Sequence, residues 1–344
     1  MAVVQADGGR AQIRDEFWGE EKPAKKRHRW WRETQCGVLE TYLATPGEQD
    51  PHPEVPAALM DPLWAIPKFN EIHRQSTSLG QASEVARQDE ADRASESLPE
   101  NPGLNAPDSE ISTESAAAST EQAKHSRWSG GPPLVKTVVA TRQGYDYLGL
   151  ALAAEAYHRG FNKASSKAFL GDGLKVNWSL WKQHFSHYTP ITDLMHALSY
   201  VYAAAVASSA TIQEGWSLYL VWLSWVWQGE VQQVLEAMQA IARDRPEPLE
   251  ALDRAITYLT NNAARMHYAE YRQAGLPITT SLVESTQKQV NRRVKGTEKF
   301  WRDEHLEPLL QLVADDLSET QGREVFWDRR RKRFNGFRKR RAKV

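Results

Sequence analysis

KAFLGDGLKVNWSLWKQHFSHYTPITDLMHA, residues 167–197, carries the fold in its punctuation. Lys167–Gly171 is a short apolar run closed by Asp172 and Gly173, the form of a buried strand ending in a turn. Trp178, Trp181 and Phe185 then fall at i, i+3 and i+7, one face of a helix directed at a core. A second short run, Pro190–Leu194, reads as another strand and is closed by Met195-His196-Ala197. Strands alternating with helices in this way belong to a sheet that carries helices on its faces.

Working outward, Tyr145, Leu148, Leu152 and Ala156 repeat at three or four and predict an amphipathic helix before this stretch. The opening residues 3–14, VVQADGGRAQIR, read as a strand, a tight passage at Asp7-Gly8-Gly9 and a second strand. After a basic stretch, Lys22–Arg32, the segment GVLETYL at 37–43 reads as a third strand. Residues 75–132 are dominated by Ser, Ala, Glu, Gln, Pro and Asn without regular apolar spacing. Such a composition cannot offset its ordering entropy, so a disordered insertion is expected there.

Downstream, residues 198–268 are helical throughout, with breaks at Gly229 and at Pro246 and Pro248. Their most apolar run, Trp216–Trp227, has 12 residues, short of the roughly 20 needed to cross a bilayer. The tryptophans at 216, 222, 225 and 227 are a base-stacking surface or, the favoured reading, a helical core. Helices over 281–294 and 303–317 follow, joined by the loop KGTEKFW. The expected architecture is α/β, a mixed sheet with helices interrupted by an all-α insertion. Its parts are the first strands in 1–74, the insertion 75–132, core at 133–197, the helical insertion 198–268, late helices at 269–320 and a basic tail at 321–344.

The chain holds 43 basic and 44 acidic residues, a formal charge of -1. The average conceals a contrast, because residues 84–121 are acidic and about half of 323–344 is Lys or Arg. A lone cysteine, Cys36, excludes an internal disulfide and multi-cysteine zinc modules and fits a reducing compartment.

Three carboxylates are placed for chemistry: Asp7 in the first strand region, Asp172 at a strand end and Glu284 in the first turn of a late helix. Strand ends form a common rim, and converging oxygens there suit two hard cations roughly 4 Å apart. Each also has a plain reading. Asp7 before Gly-Gly is turn chemistry, Asp172 between glycines is a loop or cap residue, and Ser281 with Glu284 matches a capping box. Lys288, Asn291, Arg292 and Lys295 continue the Glu284 face at i+4, i+7, i+8 and i+11, a stripe suited to a phosphodiester backbone.

The segments FLGDGLKVNWSLWKQHF with ITDLMHAL, and YLTNNAARMHYAEYRQAGLPITTSLVESTQKQVNRRVKGTEKFW, resemble two blocks of bacterial insertion-sequence DDE transposases of the Mutator-related group. VVQADGGRAQIR resembles the strand that bears their first aspartate. The resemblance covers residues 2–42 and about 140–318. It implies a ribonuclease H-like core and an enzyme that cleaves and joins DNA with two Mg²⁺ or Mn²⁺ ions held by Asp7, Asp172 and Glu284. Asp193 also matches a recurrent family aspartate and is the alternative second carboxylate; His196 accompanies it, as a site residue or a core histidine. Lys288, Arg292, Arg293, Lys295, Lys299 and Trp301, with Arg330 and Arg331 of the tail, are the expected DNA contacts. The implied partners are double-stranded element ends and target DNA, with a homo-oligomer assembled on them, no membrane, and a cytoplasmic, nucleoid-associated location. Thr279-Thr280-Ser281 stands where many relatives carry a glycine-containing turn. Met1 lies six residues before Asp7, so a split or truncated copy without a preceding DNA-reading domain is expected. A DNA-binding remnant without activity and a structure-selective nuclease of the same fold are the other expectations.

Overall fold

A computed structural model describes residues 1–13, 31–43, 46–73, 133–245, 247–296, 299–320 and 322–341. The insertion expected at 75–132 and most of the basic stretch 22–32 lie outside the described residues.

The chain forms two compact units. The first holds a five-stranded sheet: β1 (Ala2–Gln12), β2 (Trp31–Thr41), β3 (Val135–Thr141), β4 (Lys167–Gly171) and β5 (Thr189–Thr192). The order across the sheet is β3-β2-β1-β4-β5. β1, β2 and β3 pair antiparallel, whereas β4 runs parallel to both β1 and β5. The fold is therefore mixed α/β.

Period-two alternation sorts the residues of β1 between two cores. Ala2, Val4 and Ala6 pack with Leu39 and Phe169 beneath α1 (Tyr145–His158) and α2 (Lys175–His184), through Leu148, Leu152, Ala156 and Leu180. Ala11 and Ile13 pack with Cys36, Val38, Val138 and Ala140 under the two late helices, through Val283, Val290, Leu306, Leu310 and Val313. Burial predicted from the helical spacing is met at Leu148, Leu152 and Ala156.

The opening differs from expectation. β1 is one strand through Asp7-Gly8-Gly9, paired with β2 over all eleven residues. The glycines make room rather than a turn: a Cβ on Gly9 would lie 2.1 Å from Gln287 Nε2, and one on Gly8 would lie 2.9 Å from the Tyr145 hydroxyl. Neither has a positive φ. β3 was not expected as a strand. A helix over residues 62–73 follows β2, so two strands and not three precede the first helix, and β3 comes after it. β5 ends at Thr192, so Met195-His196-Ala197 belongs to the first turn of α3 (Leu194–Ala207) instead of closing a strand.

The second unit begins one residue into α3 and includes α4 (Ile212–Gln228), α5 (Val231–Arg243) and α6 (Glu250–Asn262) as far as Leu259. It also takes in the described residues 52–73, which the sequence reading grouped with the first strands. Trp222 and Trp227 are fully buried. The Trp227 indole donates to the His52 carbonyl at 3.0 Å, and the Tyr219 hydroxyl donates to the Leu59 carbonyl at 3.2 Å. Gly229, in the left-handed region at φ 82°, ends α4 by donating to the Trp225 and Val226 carbonyls. Two of the four tryptophans, Trp222 and Trp227, thus supply a helical core, whereas Trp216 and Trp225 are half-buried. Among the described residues no helix is long and apolar enough to cross a membrane.

The first unit resumes with α7 (Tyr268–Gln273), α8 (Ser281–Val294), α9 (Asp303–Leu317) and α10 (Gly322–Arg341). The basic tail is therefore a helix, although its sequence reads only as a charged run.

Candidate functional site

The register aligns three aspartates. Gln5 pairs with Leu170 across β1 and β4, which carries Asp7 to the level of Asp172 two residues on. Gly171 pairs with Thr192 across β4 and β5, so Asp172 and Asp193 each stand one residue beyond those strands. With strand spacing near 4.8 Å, the backbone positions of Asp7 and Asp193 are about 10 Å apart. Asp7 points to the α8 side of the sheet. Its neighbours on that face are Gln5, whose Oε1 accepts from the Val283 amide at 3.4 Å, and Gly9, which lies under Gln287.

Glu284 reaches this edge through Thr280. The segment 276–280 runs along the end of β5, where the Leu194 amide donates to the Ile278 carbonyl and the Tyr268 hydroxyl to the Thr192 carbonyl. Asp193 is fully buried, and its Oδ1 accepts the Thr280 amide at 2.6 Å. The Thr280 hydroxyl donates to Glu284 Oε1 at 3.0 Å. Thr280, not Ser281, is the residue before the helix, and its side chain makes no bond to the first-turn amides. The expected capping box is replaced by a link that ties both carboxylates to one threonine. A buried carboxylate at the start of a helix is also favoured by the helix dipole.

Asp193, His196 and Glu284 each offer one ligand atom, and these atoms lie within 4.8 Å of one another. His196 comes three residues after Asp193 on the continuous turn that opens α3. Two carboxylate oxygens and one imidazole nitrogen form a donor set that fits a divalent cation, and it suits Mn²⁺ or Zn²⁺ better than the all-oxygen shell Mg²⁺ prefers.

Asp7 and Asp172 share the edge but stand outside that group. Asp172 Oδ1 accepts the Leu174 amide at 3.0 Å and Asn177 Nδ2 at 2.8 Å, so the carboxylate also organises the turn into α2. Asp7 Oδ1 accepts the Gly8 amide at 2.7 Å. Tyr145 records how near the two are: burial, then the charges of Asp172 and Asp7, push its phenol above the ordinary range. Burial and then the Asp7 charge do the same to the Cys36 thiol.

The expected DNA contacts divide. Lys288, Arg292 and Lys295 are exposed on α8 and at its end. Lys295 also lies over the Trp31 ring at 5.2 Å. Arg293 pairs with Asp316 at 3.0 Å, and Lys299 donates to the Arg292 carbonyl. Trp301 packs on the core, with its indole donating to the Val294 carbonyl at 2.7 Å and its amide to the Gln12 carbonyl. On α10, Arg330 lies over Trp327 and Arg331 pairs with Asp328 at 3.3 Å.

Sequence reasoning missed Gln5, Tyr145 and Thr280. Gln5 had a signal, a polar residue inside the apolar run Val3-Val4-Gln5-Ala6. Thr280 had none, since a threonine before a helix is ordinary capping chemistry. Compared with protein-family models, curated proteins and solved structures, the chain matches none.

Proposed function

We propose that this protein is a divalent-metal-dependent DNA-cleaving and strand-joining enzyme of the kind that moves insertion sequences. The observation that carries the reading is the single carboxylate edge. Asp7, Asp172 and Asp193 align across three adjacent strands, and Thr280 links Asp193 to Glu284. A three-stranded antiparallel meander continued by two parallel strands, with helices on both faces, also supports the ribonuclease H-like form of this fold.

Asp193, His196 and Glu284 would hold one cation, and Asp7 and Asp172 are the carboxylates at the same edge for a second. Bound there, the metal would supply an activated water or 3′-hydroxyl and neutralise charge at the leaving oxygen. The protein's own part is positional. Thr280 fixes two carboxylates relative to each other, and Asn177 with the Leu174 amide holds a third. Lys288 and Arg292 extend from the Glu284 helix to meet the phosphodiester backbone, which would keep the strand in register without reading its bases.

The test is a cleavage and strand-transfer assay in Mn²⁺ on labelled duplex DNA with Asp193→Asn, Asp172→Asn and Glu284→Gln. Loss of cleavage of at least about a hundredfold with DNA binding retained is expected for Glu284→Gln. Comparing the two aspartates assigns the second essential carboxylate. Joined product supports strand transfer, whereas cleavage without joining makes the protein a nuclease. Cleavage undiminished in all three variants overturns the reading.

A further inference from the structure

Arg265 lies on the face of Trp178, with its guanidinium centre 4.4 Å from the ring centroid. Trp178 is fixed from two sides. Its Nε1 donates to the buried Asn262 side chain at 2.9 Å, and its ring edge meets Gly171, where an added Cβ would lie 3.5 Å from Cη2. Gly171 directly precedes Asp172, so the stacked pair stands beside the carboxylate edge. Arg265 Nη1 is held by the Asn261 carbonyl at 3.0 Å and by Asn262 Oδ1 at 3.5 Å. The other half of the guanidinium fork, Nε and Nη2, has no partner among the described residues.

Arg265 also has no counter-charge among the described residues, unlike other arginines that are partly or fully buried. Arg272 pairs with Asp50, Arg142 with Asp303 and Arg293 with Asp316, and Arg159 lies in the field of Glu155, Glu40 and Glu319. No carboxylate among the described residues pairs with Arg265, although burial takes it partly out of water and lowers its pKa from the ordinary value. A partly desolvated guanidinium with an open planar fork and no acid beside it is suited to bidentate capture of a phosphate.

We propose that Arg265, held over the Trp178 ring, binds a phosphodiester of the DNA strand entering the carboxylate edge. This rests on the proposed function, but binding can be read without catalysis. Anisotropy of a fluorescein-labelled duplex is measured on the full chain in EDTA over a salt series, for the protein and for Arg265→Gln and Arg265→Lys. In parallel, the melting temperature is followed against inorganic phosphate. Arg265→Gln is expected to weaken DNA binding about tenfold, the share of one charged hydrogen-bonded interaction. It should also flatten the log–log salt slope by about 0.9, one phosphate on duplex DNA. Arg265→Lys is expected to restore most of the slope but not all of the affinity, because a point charge replaces the fork. If the protein binds DNA and Arg265→Gln matches it in affinity and slope, the proposal is overturned. If the protein does not bind DNA, yet phosphate stabilises it and not Arg265→Gln, the anion site stands and the DNA reading falls. Absence of both effects overturns both.

Discussion

Glu40 offers a quantitative test of how the sheet is assembled. It is fully buried on β2, where Oε2 accepts from Gln5 Nε2 at 3.0 Å and from the Tyr42 hydroxyl at 2.7 Å, and Oε1 has no partner among the described residues. Gln5 in turn accepts from the Val283 amide, so the carboxyl is joined to the helix that bears Glu284. Burial pushes the Glu40 carboxyl from 4.5 up to about 7, against the lowering effects of its two hydrogen bonds and of the Lys136 and Arg159 charges. Between those values the folded protein holds a proton that the unfolded chain has released. Stability therefore falls as pH rises from about 4.5 to about 7. At roughly 1.4 kcal/mol per unit, the span is roughly 3 kcal/mol. Glu40→Gln removes the titration. Its amide NH₂ then takes the unpartnered Oε1 position, at a pH-independent cost of about 1–3 kcal/mol. Urea unfolding of protein and variant, followed through the sheet unit's transition at about pH 4 and about pH 8, separates the two effects. The difference between the two proteins should shift by roughly 3 kcal/mol in the variant's favour on going to the higher pH. A difference independent of pH would refute the argument that burial of Glu40 outweighs its two hydrogen bonds and the nearby charges.

Gly9→Ala should lower stability by about 1–3 kcal/mol, because the new methyl occupies the space of the buried Gln287 side chain; an unchanged or raised urea midpoint would contradict the close approach of α8 to β1. Asp50→Ala leaves Arg272, whose side chain is 1 % exposed, without its bidentate partner and should cost about 3–5 kcal/mol in chemical denaturation. Removing residues 322–344 takes away the basic helix and should flatten the salt dependence of DNA binding by about 0.9 for each phosphate the helix had neutralised. An unchanged slope would show that α10 does not touch DNA.

What the sequence alone determined are the features that depend on local spacing. The bounds of α8 and α9 were legible because their apolar positions recur at the helical period and each segment has a clear start. The same holds for β4, a short apolar run ended by Asp172-Gly173, and for the buried Trp222 and Trp227, whose bulk leaves them few places outside a core. Asp172 and Glu284 could be named as candidates because strand-end and first-turn positions can be counted along the chain, whereas Asp193 entered through the family resemblance. The tertiary structure alone decided the rest. Asp-Gly-Gly serves a turn or an uninterrupted strand equally well, and only the side chains of Gln287 and Tyr145 pressing from opposite faces require the strand. Residues 135–141 become β3 through pairing with β2, a partner about a hundred residues earlier. The choice of which aspartate lies closest to Glu284 was beyond any spacing rule, because it depends on residues 276–280 crossing the end of β5. Local periodicity reports what each segment buries; only long-range pairing reports what it is buried against, and the carboxylate edge is built from such pairings.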